Sequence, residues 1–287
     1  MNTIRTSKLV LTKDTCTTCV TLTSVYPFEE LKSNQEEADT KVILHCLNVL
    51  QEDVNRSVIL RSHSGDTDIT VLAVSLLHTH RNRVYLENGT GKNKKGHWLN
   101  SVKLTDSNRN AIIGFLAFTG NDYVSSFFRK GKKLCWKTMV QKEKFVQMFG
   151  ELGSSWNLEE DQFNILEEFT AHIYGSKESD INCAGSSMFR KKFQAENKTP
   201  DISVLPPCQS VLKLHIRRAN FVACLWKKSS EPIIDVQPVY EHGWYEDNSV
   251  QWIDKPFPES VEDIMFDEAF EEDTDIDSDV ESEEEDF

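Results

Sequence analysis

The sequence predicts an α/β fold organised on a mainly parallel sheet. Two observations carry that prediction. Short apolar, β-rich runs such as Val58-Ile59-Leu60 and Val84-Tyr85-Leu86 alternate with stretches whose apolar residues repeat at helical spacing. Acidic clusters punctuate this alternation at Gln35–Thr40, Ser64–Asp68 and Thr119–Tyr123, where helices start and strands end. In a parallel sheet those points face one edge, and ligands bind outside it.

Taken in order, residues 7–25 carry two β-rich stretches, Leu9–Leu11 and Cys19–Thr23, followed by a loop at Tyr26-Pro27-Phe28. Ser33 or Asn34 is placed to cap a helix, with Glu36 and Glu37 in its first turn, where the helix dipole favours anions. Val42, Ile43, Cys46, Leu47 and Leu50 then repeat on one helical face. Val58–Leu60 reads as a strand running into Ser62-His63-Ser64-Gly65-Asp66. Ile69–Leu77 reads as a buried helix and Val84–Leu86 as a further strand. Lys92, Lys94 and Lys95 sit in a Gly-rich turn, and Trp98–Leu104 is expected to return as a strand. Asp106 or Ser107 caps a helix through Phe118 that Gly120 stops. Residues 123–174 read as helical with a break at 150–155. Residues 176–210 read as irregular, Leu212–Trp226 as a helix, and 232–258 as extended chain. The expected organisation is therefore a core over 1–150, a helical extension over 151–175, an irregular region over 176–258 with one helix, and a tail from 259.

The chain has 287 residues, 39% of them hydrophobic, enough for one core and a small second unit. The net charge of −14 is unevenly spread. Residues 259–287 hold 16 acidic side chains and no Lys or Arg, which leaves 30 acidic against 32 basic groups in residues 1–258, a net of +2. The tail composition predicts disorder. No apolar run reaches a membrane-spanning length, and Met1–Arg5 lacks the apolar core of a signal peptide. Seven cysteines form an odd, scattered set that suits a reducing compartment, nucleus or cytoplasm, over secretion.

Clustered carboxylates hold hard divalent cations. Two such ions roughly 4 Å apart can clamp the attacking and leaving oxygens of a phosphodiester. Glu37, Asp39, Asp66, Asp68 and Asp122 are the available donors. The order of their motifs, Glu37-Ala38-Asp39, Asp66-Thr67-Asp68 and Gly120-Asn121-Asp122-Tyr123, resembles that of flap-endonuclease (XPG-type) 5′-nucleases of the PIN-like superfamily, across roughly residues 36–140. The resemblance implies a three-layer α/β/α PIN-like domain, Mg²⁺ or Mn²⁺ at those five residues, and phosphodiester hydrolysis with Asp66 and Asp68 as catalytic residues. A fuller resemblance, over roughly residues 33–254, is to invertebrate mobile-element-like proteins carrying N-x-E-E-A-D-T, S-x-D-T-D and T-G-x-D-x-x-S-x-F-F-x-K-G-K. These read here as Asn34–Thr40, Ser64–Asp68 and Thr119–Lys132. The nuclease domain opens with a strand carrying an aspartate, and a second acid follows it. Residues 1–32 offer only Asp14, Glu29 and Glu30, in turn or loop positions. The expectation is a copy that starts partway through the domain and carries a degenerate site. The alternative is a catalytically inactive module that binds nucleic acid or protein.

Arg129-Lys130-Gly131-Lys132-Lys133 occupies the position of the nuclease family's helix-hairpin-helix, which implies a backbone-phosphate grip. Cys16-Thr17-Thr18-Cys19 has half the spacing of a zinc site, but no second pair follows. Trp226, Trp244 and Trp252 are read as packing residues that could otherwise stack on bases. The acidic tail could engage a basic partner or the chain's own basic segment.

Overall fold

The computed structural model describes residues 8–62, 67–89, 92, 94–193, 202–247 and 249–252. An antiparallel hairpin opens the chain, β1 (Leu9–Lys13) pairing β2 (Cys16–Val20), with β3 (Val25–Pro27) on the other side of β2. Asp14 takes the tight turn at φ 51, a conformation that aspartate tolerates better than most residues. Cys19, Phe28, Leu31 and Leu44 make a small core beneath this sheet.

Helix α1 (Ala38–Glu52) buries Ile43, Leu44, Cys46 and Leu50, largely the face its periodicity marked. Strand β4 (Val58–Ser62) leads into α2 (Asp68–Leu76) and back to β5 (Val84–Asn88). The β4 and β5 strands pair in parallel. The next strand, β6 (Lys95–Trp98), pairs β5 antiparallel. The segment from Gly89 to Lys94 is too short for a crossover helix, so the chain can only turn back.

From there the chain is helical: α3 (Asp106–Thr119), α4 (Lys132–Val140), α5 (Glu143–Glu151), α6 (Glu160–Ile173), α7 (Ile181–Phe193) and α8 (Gln209–Lys227). A short hairpin, β7 (Trp244–Asp247) and β8 (Ser249–Trp252), follows. Helix α3 packs between α5 and α8. Its Phe118 meets Phe149 at 5.5 Å, and Phe149 meets Phe169 of α6 at 4.8 Å, both edge to face. His215 of α8 hydrogen-bonds the Phe118 carbonyl through Nε2 at 2.9 Å.

This architecture corrects the expected fold class. The described residues form three small sheets of mixed orientation among a majority of helix, not a three-layer α/β/α domain on a mainly parallel sheet. Among the described residues the β-α-β alternation occurs once. Three local expectations also change. Helix α1 starts at Ala38, with Glu37 at its N-cap in extended conformation, so Glu36 and Glu37 precede the helix. Residues 99–101 form a short 3₁₀ turn instead of a strand. Residues 181–193 are helical, helped by Asp180, whose side chain accepts from the Cys183 N–H at 2.7 Å. The expected tail from 259 lies outside the described residues. No helix among them is long and apolar enough to cross a membrane.

Candidate functional site

The loop before α1 is tied to the chain that leaves α8. The Asn34 side chain both donates to the Ile234 carbonyl at 2.8 Å and accepts from the Ile234 N–H at 2.9 Å. Gln35 Nε2 donates to the carbonyls of Ser229 and Glu231 at 3.2 and 2.7 Å. Ser33 Oγ accepts the Gln35 N–H at 3.1 Å and bends the loop. This clamp aims Glu37 at α8, where Trp226 Nε1 donates to its Oε2 at 2.9 Å.

Asp39 lies in the first turn of α1, and Asp68 is the first residue of α2. Asp122 stands in a turn built by Asn121, whose Oδ1 accepts the N–H groups of Tyr123 and Val124 at 2.9 and 3.2 Å. Gly120 makes that turn possible at φ 111, and a Cβ there would come within 2.7 Å of the Ser126 Cβ.

Electrostatics shows that these carboxylates share one neighbourhood. Burial pushes the Glu37 carboxyl above the usual range, and the negative charges of Asp39, Asp68 and Asp122 raise it further, against the Trp226 hydrogen bond. The Tyr123 phenol is raised by burial and then by Glu37, Glu36 and Asp122. Three stretches far apart in sequence therefore converge on Glu37. Asp66 lies outside the described residues, as do His63, Ser64 and Gly65.

The donors are hard oxygens, right in kind for Mg²⁺ or Mn²⁺. Their number falls short: among the described residues, no three His, Cys, Asp or Glu side chains form a group that could hold a metal ion. Glu37 also spends one oxygen on Trp226. The described carboxylates share a field, not a coordination sphere.

Beside the carboxylates opens a cavity of about 520 Å³. Gln35, Glu36, Glu37, Asp122 and Tyr123 line one side, and α8 and the 234–250 segment line the other, mostly with apolar side chains. Sequence reasoning read Trp226 and Trp244 as packing residues. Both are buried, yet Trp226 also holds a site carboxylate and Trp244 walls the cavity.

The basic segment takes a separate position. Arg129, Lys130, Gly131 and Lys132 line a second cleft, of about 480 Å³, with the turn residues Gly120 and Asn121. The Arg129 guanidinium lies 4.9 Å from the centre of the Phe128 ring, and Lys130 Nζ lies 4.4 Å from that of Tyr174. Gly131 is the N-cap of α4 at φ −66, and a Cβ would meet nothing within 4 Å. Neither its conformation nor its surroundings require glycine. Lys132 and Lys133 open α4, adding positive charge to the positive end of a helix.

The half zinc motif does not assemble. Cys16 is exposed and Cys19 buried, because three positions apart along a strand places side chains on opposite faces. His45 is instead bonded to Thr12 Oγ1 at 2.7 Å.

No family model matches this chain, and no curated protein or solved structure matches it significantly.

Proposed function

We propose that the convergence on Glu37 is a divalent-cation site and that the chain is a nuclease-like protein acting on phosphodiesters. The observation that carries this reading is the raised Glu37 carboxyl, held up in part by Asp39, Asp68 and Asp122. Carboxylates crowded enough to oppose the ionisation of Glu37 form a site that a cation relieves. Asp66, two residues before Asp68 in sequence, would be the further donor. A divalent cation would contribute Lewis-acid charge to a phosphodiester. The chain's own residues would do the rest. Trp226 fixes the Glu37 carboxylate, and the Asn121 turn presents Asp122. Lys130, Lys132 and Lys133, with Arg129, would grip the nucleic-acid backbone without reading sequence.

The hydrogen bond from Trp226 to Glu37 favours a second reading, a catalytically inactive module that binds nucleic acid. Mn²⁺ calorimetry on wild type and on Asp66→Ala with Asp68→Ala, beside a flap-DNA cleavage assay, separates the two. Micromolar binding lost in the double variant, with cleavage, supports the nuclease. Binding without cleavage supports the inactive module. A folded protein that binds no Mn²⁺ ends the cation reading.

A further inference from the structure

The cavity beside Glu37 has a chemistry of its own. Its 520 Å³ falls in the range of small-molecule pockets. Its walls are apolar and aromatic, with Phe221 and Leu225 from α8, Trp244 from β7, and Val239 between them. Tyr123 stands at the rim and is 46% exposed. No Lys, Arg or His is among the described residues that line it.

The polar groups of the lining are mostly acceptors. Glu36, Glu37 and Asp122 bring three carboxylates. The two Asn34 polar atoms are used on Ile234. Gln35 is only 6% exposed, and its Nε2 is committed to two backbone carbonyls. Its Oε1 is buried and has no hydrogen-bond partner. A buried acceptor left unpaired carries a free-energy cost at the wall of this cavity. The Gln35 amide cannot turn to solve this alone, because that would sacrifice both Nε2 bonds.

We propose that this cavity binds a small organic ammonium ion with an apolar body. The body would fill the space against Phe221, Leu225 and Val239. The ammonium would face the carboxylates and the Tyr123 and Trp244 rings, where cation–π attraction adds to charge. An anionic ligand of the same shape would face three carboxylates and find no cation among the described lining residues. The site shares Glu37 and Asp122 with the proposed divalent-cation site, but its ammonium binding needs no bound metal, and Asp39 and Asp68 are not among its described lining residues.

The test is calorimetry on the full chain with three isosteric probes: phenethylammonium, 2-phenylethanol and 3-phenylpropionate. Phenethylammonium is expected to bind at least tenfold more tightly than the alcohol, and the carboxylate not at all. Glu36→Gln should weaken the amine severalfold. Leu225→Trp should fill the cavity and abolish binding with the thermal midpoint retained. Asp68→Ala should leave amine binding in place even where Mn²⁺ binding is lost, so failure of the cation reading is told apart from failure of this one. Equal binding of amine and carboxylate overturns the proposal. So does absence of amine binding in folded wild type, or full binding by folded Leu225→Trp.

Discussion

Trp226 Nε1 donates to Glu37 Oε2 at 2.9 Å across 189 positions of sequence. The indole is 1% exposed, so the bond is shielded from water on its donor side. It joins the last turns of α8 to the residue that caps α1, and so ties the acidic site to the helical body. The bond also holds the Glu37 pKa down against burial and three neighbouring aspartates.

Replacing Trp226 with Phe should therefore raise the Glu37 pKa further, because the hydrogen bond that favours its ionised form is gone. A hydrogen bond to a charged group is worth about 1.5–3 kcal/mol. Loss of at least that much at neutral pH is expected in chemical denaturation. Carboxyl titration followed by NMR gives the second reading, and an unchanged Glu37 midpoint would show that the bond does not form.

The convergence itself can be measured in the same way. Asp68→Asn and Asp122→Asn each remove a negative charge that acts on Glu37. Each should shift its midpoint downward, toward the ordinary range. A variant at an acidic residue remote from Glu37, such as Glu178→Gln, should not. Silence from both aspartates would mean that the three stretches do not meet.

His215 sets an acid limit on stability. Its ring is buried between Phe118 and Phe127, and burial lowers its pKa to about 4. Nearby Arg218 lowers it too, while the Phe118 carbonyl works the other way. Between that value and the unfolded pKa near 6.5, the unfolded chain binds the extra proton. Stability is thus complete above about pH 6.5 and falls as the pH drops toward 4, by on the order of 3 kcal/mol. Burial lowers His45 and His242 in the same direction, whereas the raised Glu37 carboxyl works in the opposite sense. His215→Gln should flatten part of the slope in denaturation series taken from pH 7 to 4.5.

Two glycines make a paired test of the turn and basic segments. Gly120→Ala places a Cβ at positive φ and 2.7 Å from the Ser126 Cβ. It should cost about 1–3 kcal/mol and disturb the turn that presents Asp122. Gly131→Ala meets open space at an ordinary φ, and should change stability by no more than about 0.5 kcal/mol. Thermal melts of the two variants decide this. Comparable losses would mean that Gly131 has a structural role the backbone does not show.

Much of the secondary structure was legible in sequence because its signals are local. Val58–Leu60, Val84–Leu86 and Leu212–Trp226 all lie within elements of the expected type, and Ile69–Leu77 overruns α2 by one residue. Gly120 ends α3 as its conformational freedom implies. Parallel pairing was over-extended from one true case, β4 with β5. The Trp98–Leu104 strand was displaced to Lys95–Trp98 because apolar content was read without the short return from β5. Helix α7 was missed because Ser, Lys and Gly dilute its pattern.

The sequence by itself determined the acidic points and their order, the near-neutral body and most of the helices, since these depend on residue type and on neighbours a few positions away. Only the tertiary structure decided that Glu37, Asp39, Asp68 and Asp122 share a field. It alone bound Glu37 to Trp226, and left Gln35 Oε1 unpaired beside an apolar cavity. Those outcomes rest on contacts spanning up to about 190 positions. At that separation periodicity and capping signals carry no information, and packing and burial set which groups meet.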